Sequence, residues 1–143
     1  MSEHVHETLL SRDLRVAWLE VGGFVAAADG LSEQEASELA GMAAGPDLDV
    51  NACMVAIQAG AACDALPDAT LECVKGADPY VQVQCLCEVY SAAASDGSSE
   101  AELARFQDVA AATLGDGKVA SLMRLGDLQR EAASLFSEIV LGD

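Results

Sequence analysis

The sequence is poor in basic residues, aromatic residues and proline. Its 143 residues include 7 Lys and Arg against 24 Asp and Glu, a formal net charge of −17. Nucleic acids and anionic membranes are bound through Lys and Arg, so this balance argues against both as partners. The charge favours cations instead, either metal ions or a basic protein partner. It also has a simpler interpretation, which is that it keeps a small domain soluble.

Long apolar runs are also absent. The longest covers residues 21–28, whereas a membrane-spanning helix needs about 20 apolar residues. Residues 1–10 contain His4, His6 and two glutamates where a signal peptide would be apolar. We therefore expect a cytoplasmic protein without direct membrane insertion, with a flexible N-terminus over residues 1–7 and a single domain over residues 8–143.

Alanine dominates what is present. Of the apolar 52% of the chain, 27 residues are alanine, and few β-branched or aromatic residues remain for a sheet. Apolar residues recur at spacings of three and four from Leu10 through Phe24 to Ala28, which is typical of one face of a helix. Gly22 and Gly23 interrupt this helix and indicate a close helix–helix approach or a kink. The composition predicts an all-α bundle of seven to eight helices.

Glycine, proline and capping residues predict the helix boundaries. Further helices are expected at about residues 33–44, 49–66, 69–75 and 100–114, and one starting at Pro79. The inward, apolar face of the Pro79 helix is predicted to comprise Tyr80, Val83, Cys87, Tyr90 and Ala94. A turn at residues 115–117 should precede a short helix and then a final one, whose apolar residues are Leu125, Leu128, Ala132, Leu135 and Ile139.

The five cysteines are predicted to be reduced and to pack in the core. Their odd number, without a secretion signal, is typical of free thiols. Cys85 and Cys87 lie two residues apart, which matches neither a zinc site nor a redox motif.

The chain contains an internal repeat. A shift of 67 residues aligns residues 25–44 with residues 92–111, and nine of the twenty positions are identical. The repeat predicts two copies of one helical hairpin, at about residues 10–44 and 79–111, related by an approximate two-fold axis. Each copy contains an Asp-Gly turn followed by Ser-Glu-x-Glu.

Two interpretations of this turn remain open. Glycine at the helix end and a Ser-x-x-Glu capping box explain most of the motif as helix termination and initiation. Capping does not require the aspartates, however, and each turn gathers three carboxylates, whose oxygens suit Ca²⁺, Mg²⁺ or Mn²⁺. The candidate metal ligands are Asp29, Glu33, Glu35, Asp96, Glu100 and Glu102.

The apolar helix that ends in Ala-Ala-Asp-Gly-x-Ser-x-x-Glu resembles the TerB-like domain of tellurite-resistance proteins. The similarity covers roughly residues 8–141. It implies an all-helical domain with internal pseudo-symmetry, a divalent-cation site at the same acidic residues, and a role in a stress or tellurite response through partner proteins. The second turn departs from the family pattern at Ser98, so it is expected to be the weaker site or to have only a structural role.

Catalysis is not expected. The two histidines have no fixed nucleophile partner, and no phosphate-binding or nucleophile-elbow motif occurs. The alternative to cation binding is a metal-independent interaction module or assembly component whose protein partner is basic or membrane-associated. The sequence leaves the oligomeric state and the identity of the metal open.

Overall fold

The computed structural model describes residues 12–45, 48–93 and 99–142, without the side chains of Arg12, Asp29, Met42 and Ala43. These ranges are helical and contain no strand, which confirms the all-α prediction. Short 3-10 turns at Ala27–Asp29 and Asp116–Lys118 follow the first and sixth helices. The α-helices are α1 (Arg12–Ala26), α2 (Glu33–Ala43), α3 (Val50–Ala61), α4 (Asp68–Lys75), α5 (Pro79–Ala93), α6 (Glu100–Leu114) and α7 (Val119–Leu141).

Capping residues explain where these helices begin and end. The Asp49 carboxylate accepts a hydrogen bond from the backbone N–H of Ala52 at 2.8 Å, and Pro79 occupies the first turn of α5. Gly30 ends the first 3-10 turn with a φ of 100°, which favours glycine. The predicted boundaries of α2, α4 and α6 are confirmed to within one residue.

Two glycines allow α1 and α3 to cross in backbone contact. A methyl group on Gly23 would overlap the carbonyl oxygen of Ile57, and one on Gly60 would overlap the carbonyl oxygen of Glu20. The helix pair is the most extensive in the fold, and Ile57 is fully buried beside it. The predicted close approach at Gly23 is therefore confirmed.

Helix α5 is buried on several sides, and its predicted inward face is right in part: Cys87 is buried and Val83 and Tyr90 pack against the core, whereas Tyr80 does not. Ala94 lies outside the described residues. Tyr80 is 73% exposed, whereas the neighbouring Val81 is buried. The helix contacts α1, α2, α6 and α7, so buried residues occur around most of its circumference. A helix with partners on so many sides has no single apolar stripe for periodicity to detect.

The chain ends in one long helix, so the predicted short helix before it is wrong. Helix α7 is continuous for 23 residues after the 3-10 turn. Its first turns are held to the body by Gly126, which packs against the Tyr90 ring, and by the Tyr90 hydroxyl, which donates a hydrogen bond to Asp127 at 2.7 Å. Its apolar residues Leu125 and Leu128 do not face the core.

The two proposed hairpins, α1 with α2 and α5 with α6, pack reciprocally. Each long helix contacts the short helix of its own hairpin and that of the other, since α1 meets α6 and α5 meets α2. The long helices α1 and α5 also contact each other. Within the described ranges, no helix combines the length and the apolar character needed to cross a membrane.

Candidate functional site

The serines that begin α2 and α6 form matching capping boxes. The Ser32 hydroxyl accepts the Glu35 N–H at 3.1 Å, and the Glu35 carboxylate accepts the Ser32 N–H at 3.1 Å. The corresponding distances for Ser99 and Glu102 are 3.1 Å and 3.2 Å. Both glutamates are 2% exposed. The capping interpretation of the motif is therefore confirmed in both copies.

The six candidate metal ligands differ in their placement. Glu33 and Glu100 lie in the first turns of their helices with exposed side chains, where the helix dipole favours their charge. Asp29 ends the first 3-10 turn, and its side chain is not described. Asp96 lies outside the described residues. In the part of the chain that is described, no group of three His, Cys, Asp or Glu side chains is arranged to hold a metal ion.

One carboxylate oxygen at the first Asp-Gly turn lacks a hydrogen-bond donor in the described part of the chain. Glu35 Oε1 accepts the capping hydrogen bond, whereas Glu35 Oε2 is buried without a hydrogen-bond partner among the described residues. A buried carboxylate oxygen without a donor is unfavourable, because it has lost its hydration without replacement. A cation that approached this oxygen would compensate the loss.

An arginine from α6 caps the end of α1. Arg105 Nη1 donates to the Phe24 carbonyl at 2.8 Å, and the guanidinium lies 4.5 Å from the centre of the Phe24 ring. The contact satisfies a carbonyl in the last turn of α1 and adds a cation–π interaction. Sequence reasoning missed this residue, because the contact joins positions 81 residues apart. A permanent positive charge therefore already lies just before the first acidic turn.

The cysteines are free thiols, and three of the five are buried. Cys53, Cys85 and Cys87 lie in the core, whereas Cys63 and Cys73 are partly exposed. Burial, with a smaller contribution from the charge of Glu88, raises the pKa of Cys85 to about 12. Such a thiol stays protonated at neutral pH and is a poor nucleophile.

The most prominent surface feature is on α7. Every residue from Asp127 to Gly142 is exposed. We define the α7 apolar surface as the large apolar side chains of this helix that are 38% to 81% exposed, namely Leu125, Leu128, Leu135, Phe136, Ile139, Val140 and Leu141.

The α7 apolar surface lies mostly to one side of the strip by which α7 contacts the body of the protein. At about 100° per residue, all its members except Leu141 fall within an arc of about 140°. The two buried residues of α7, Leu122 and Gly126, lie about 70° and 110° around the helix from the middle of that arc. Phe136 and Val140 add a second apolar stripe beside the first in the sequence. The two stripes together make a face that is broader than a single contact with the core would need.

No family model, curated protein or solved structure matches the chain.

Proposed function

We propose that this protein is a non-enzymatic helical interaction module that binds a protein partner through the α7 apolar surface. The observation that carries the proposal is the row of exposed apolar side chains on a helix with no buried residue beyond Gly126. Contiguous apolar patches on soluble proteins are typical of binding sites. A free helical segment of about 15 residues is also marginally stable in water, so a partner would stabilise it.

The free energy available from covering the α7 apolar surface can be estimated from its exposure. The exposed fractions of its seven side chains add up to a little over four fully exposed residues. Burying one such residue contributes roughly 1.5–3 kcal/mol, so complete coverage corresponds to about 6–13 kcal/mol before the losses on association. This is comparable with the cost of association itself, so the surface suits a weak, reversible complex.

The test replaces Leu135, Phe136 and Ile139 with serine. Val55→Ser on α3 is the matched control, because the Val55 side chain is apolar and comparably exposed, at 67%. At low protein concentration, we expect the triple variant to keep the wild-type unfolding temperature. We also expect it to lose 1-anilinonaphthalene-8-sulfonate binding and retention on a hydrophobic column, whereas Val55→Ser changes both only slightly. A large fall in the unfolding temperature of the dilute triple variant would show that the surface belongs to the folded core.

A second candidate function is the binding of Ca²⁺, Mg²⁺ or Mn²⁺ at the first Asp-Gly turn. It is favoured by the buried, unpartnered Glu35 Oε2, in a turn whose sequence also carries Asp29 and Glu33. Binding to the folded state stabilises it by about 2.7 kcal/mol at a cation concentration 100 times the Kd. Calorimetric titration and thermal unfolding should show cation binding and stabilisation in the wild type. Both should be absent in the double variant Asp29→Asn, Glu33→Gln. Glu38→Gln, on the exposed side of α2, is the control. No stabilisation at millimolar cation would exclude this function, and an Asp29→Asn, Asp96→Asn variant with full affinity would exclude the proposed ligands.

A TerB-like assignment, with a role in a stress or tellurite response, remains a proposal that rests on the motif resemblance. The reciprocal packing of the two hairpins and the matching capping boxes support the internal repeat on which the assignment depends. The module would act in the cytoplasm through its protein partner.

A further inference from the structure

The charge of the chain is distributed unevenly between α7 and the rest. Helix α7 contains three acidic and two basic residues, a net charge of −1, which leaves −16 for the other residues. Two copies of the chain repel each other through most of their surfaces. Contact through α7 alone keeps the strongly acidic parts apart and joins two nearly neutral segments.

The apolar spacing on α7 is that of a helix–helix seam. Leu125, Leu128, Ala132, Leu135 and Ile139 follow one another at intervals of three, four, three and four residues, which is the a/d pattern of paired helices. The projecting segment spans about 25 Å at 1.5 Å per residue. It exposes on the order of 250–500 Å² of apolar area, so a symmetric pair with a polar rim reaches the lower size limit of specific interfaces.

Charged residues along one edge of this seam indicate the direction of pairing. Arg124 and Glu138 are exposed and flank the same edge, because their positions differ by only about 40° around the helix. They lie about 21 Å apart along it, too far to pair within one chain. In an antiparallel pair centred near Glu131, Arg124 of each copy faces Glu138 of the other. A parallel pair leaves them unmatched.

We infer that the partner bound by the α7 apolar surface is a second copy of this chain, and that the two α7 helices pack antiparallel around a two-fold axis near Glu131. This inference rests on the proposed function and names the partner. The interface is isologous, with the Arg124–Glu138 contact occurring twice and the Glu131 side chains meeting at the axis. Interfaces of this modest area are typical of weak or transient complexes, so we expect a dissociation constant in the micromolar range.

Sedimentation equilibrium of the full chain from 1 to 500 µM tests this arrangement. We expect the wild type to pass from monomer to dimer within this range. Arg124→Glu and Glu138→Arg should each weaken the dimer at least tenfold, and the double exchange should restore it to within about threefold. Lys75→Glu is the control, since it makes the same charge change on the exposed end of α4 and should leave the dimer intact. Glu131→Gln should strengthen it by removing the like-charge contact at the axis.

A chain that is monomeric at 500 µM overturns the inference. This failure can be told apart from failure of the proposed function. If the chain is monomeric but the serine variants lose surface apolarity without losing stability, the α7 apolar surface is still a binding site, and its partner is a different protein. A dimer that is indifferent to Arg124→Glu, or that the double exchange does not restore, overturns the antiparallel arrangement.

Discussion

The crossing of α1 and α3 gives the sharpest stability prediction. Gly23→Ala and Gly60→Ala each place a methyl group on a backbone carbonyl of the opposite helix, at Ile57 and Glu20. Neither overlap can be relieved by rotating a side chain, so the helices must separate. Overpacking of this kind costs about 1–3 kcal/mol or more, and opening even a fraction of an ångström weakens the contacts around buried residues such as Ile57.

Helix propensity opposes this loss, since alanine is better than glycine in a helix by about 1 kcal/mol. Because the overlap is with backbone, we take the upper part of the overpacking range and expect a net destabilisation of about 1–2 kcal/mol for each variant, with a fall in unfolding temperature of roughly 3–8 °C. The double variant should lose less than the sum, because one separation relieves both overlaps. Urea and thermal denaturation followed by circular dichroism measure all three.

Gly41→Ala is the matched control. Gly41 lies within α2, and a methyl group there would meet nothing within 4 Å. It should therefore gain about 0.5–1 kcal/mol from helix propensity alone. If Gly23→Ala and Gly60→Ala match this gain, the backbone crossing does not exist as described.

Three further predictions concern a cap, a thiol and alkaline pH. Ser99→Ala removes the hydroxyl that accepts the Glu102 N–H, so urea denaturation should show a loss of about 1 kcal/mol; an unchanged midpoint would contradict the capping box. In the native protein Ellman's reagent should modify Cys63 well before the buried Cys85, and equal rates would show that Cys85 is accessible. The pKa of Cys85 and that of Tyr90 are both raised to about 12, chiefly by burial. The unfolded chain therefore loses these protons first, so stability should fall as the pH rises from about 9 to 12, less steeply in Tyr90→Phe.

The boundaries of the helices could be predicted because local residues determine them. Ser32 and Ser99 carry capping geometry that depends on residues within one turn, and Gly30 needs only its own backbone freedom. A close helix–helix approach at Gly23 could also be predicted, whereas the identity of its partner, Gly60 on another helix, could not. Arg105 shows the limit, since its capping of α1 depends on packing between distant parts of the chain.

The direction of helix faces was harder to predict. On α5 the apolar residues surround the helix, so the choice of Tyr80 over Val81 as an inward position had no basis in periodicity. On α7 the apolar stripe was recognised from its spacing. Periodicity shows that a face is apolar, and it does not show whether the same chain covers it. Of the candidate ligands, Glu35 and Glu102 carry the clearest structural role as caps, and Asp96 lies outside the described residues.

Hydrogen–deuterium exchange at two protein concentrations tests the central claim most directly. At 1 µM, the amides of residues 128–141 should exchange much faster than those of α1 and α5, because every residue of this segment is exposed in the described structure. At 500 µM, their exchange should slow at least tenfold, while α1 and α5 remain unchanged. Slow exchange of residues 128–141 already at 1 µM, or equally fast exchange at both concentrations, would contradict the claim that α7 is a free surface that a second copy covers.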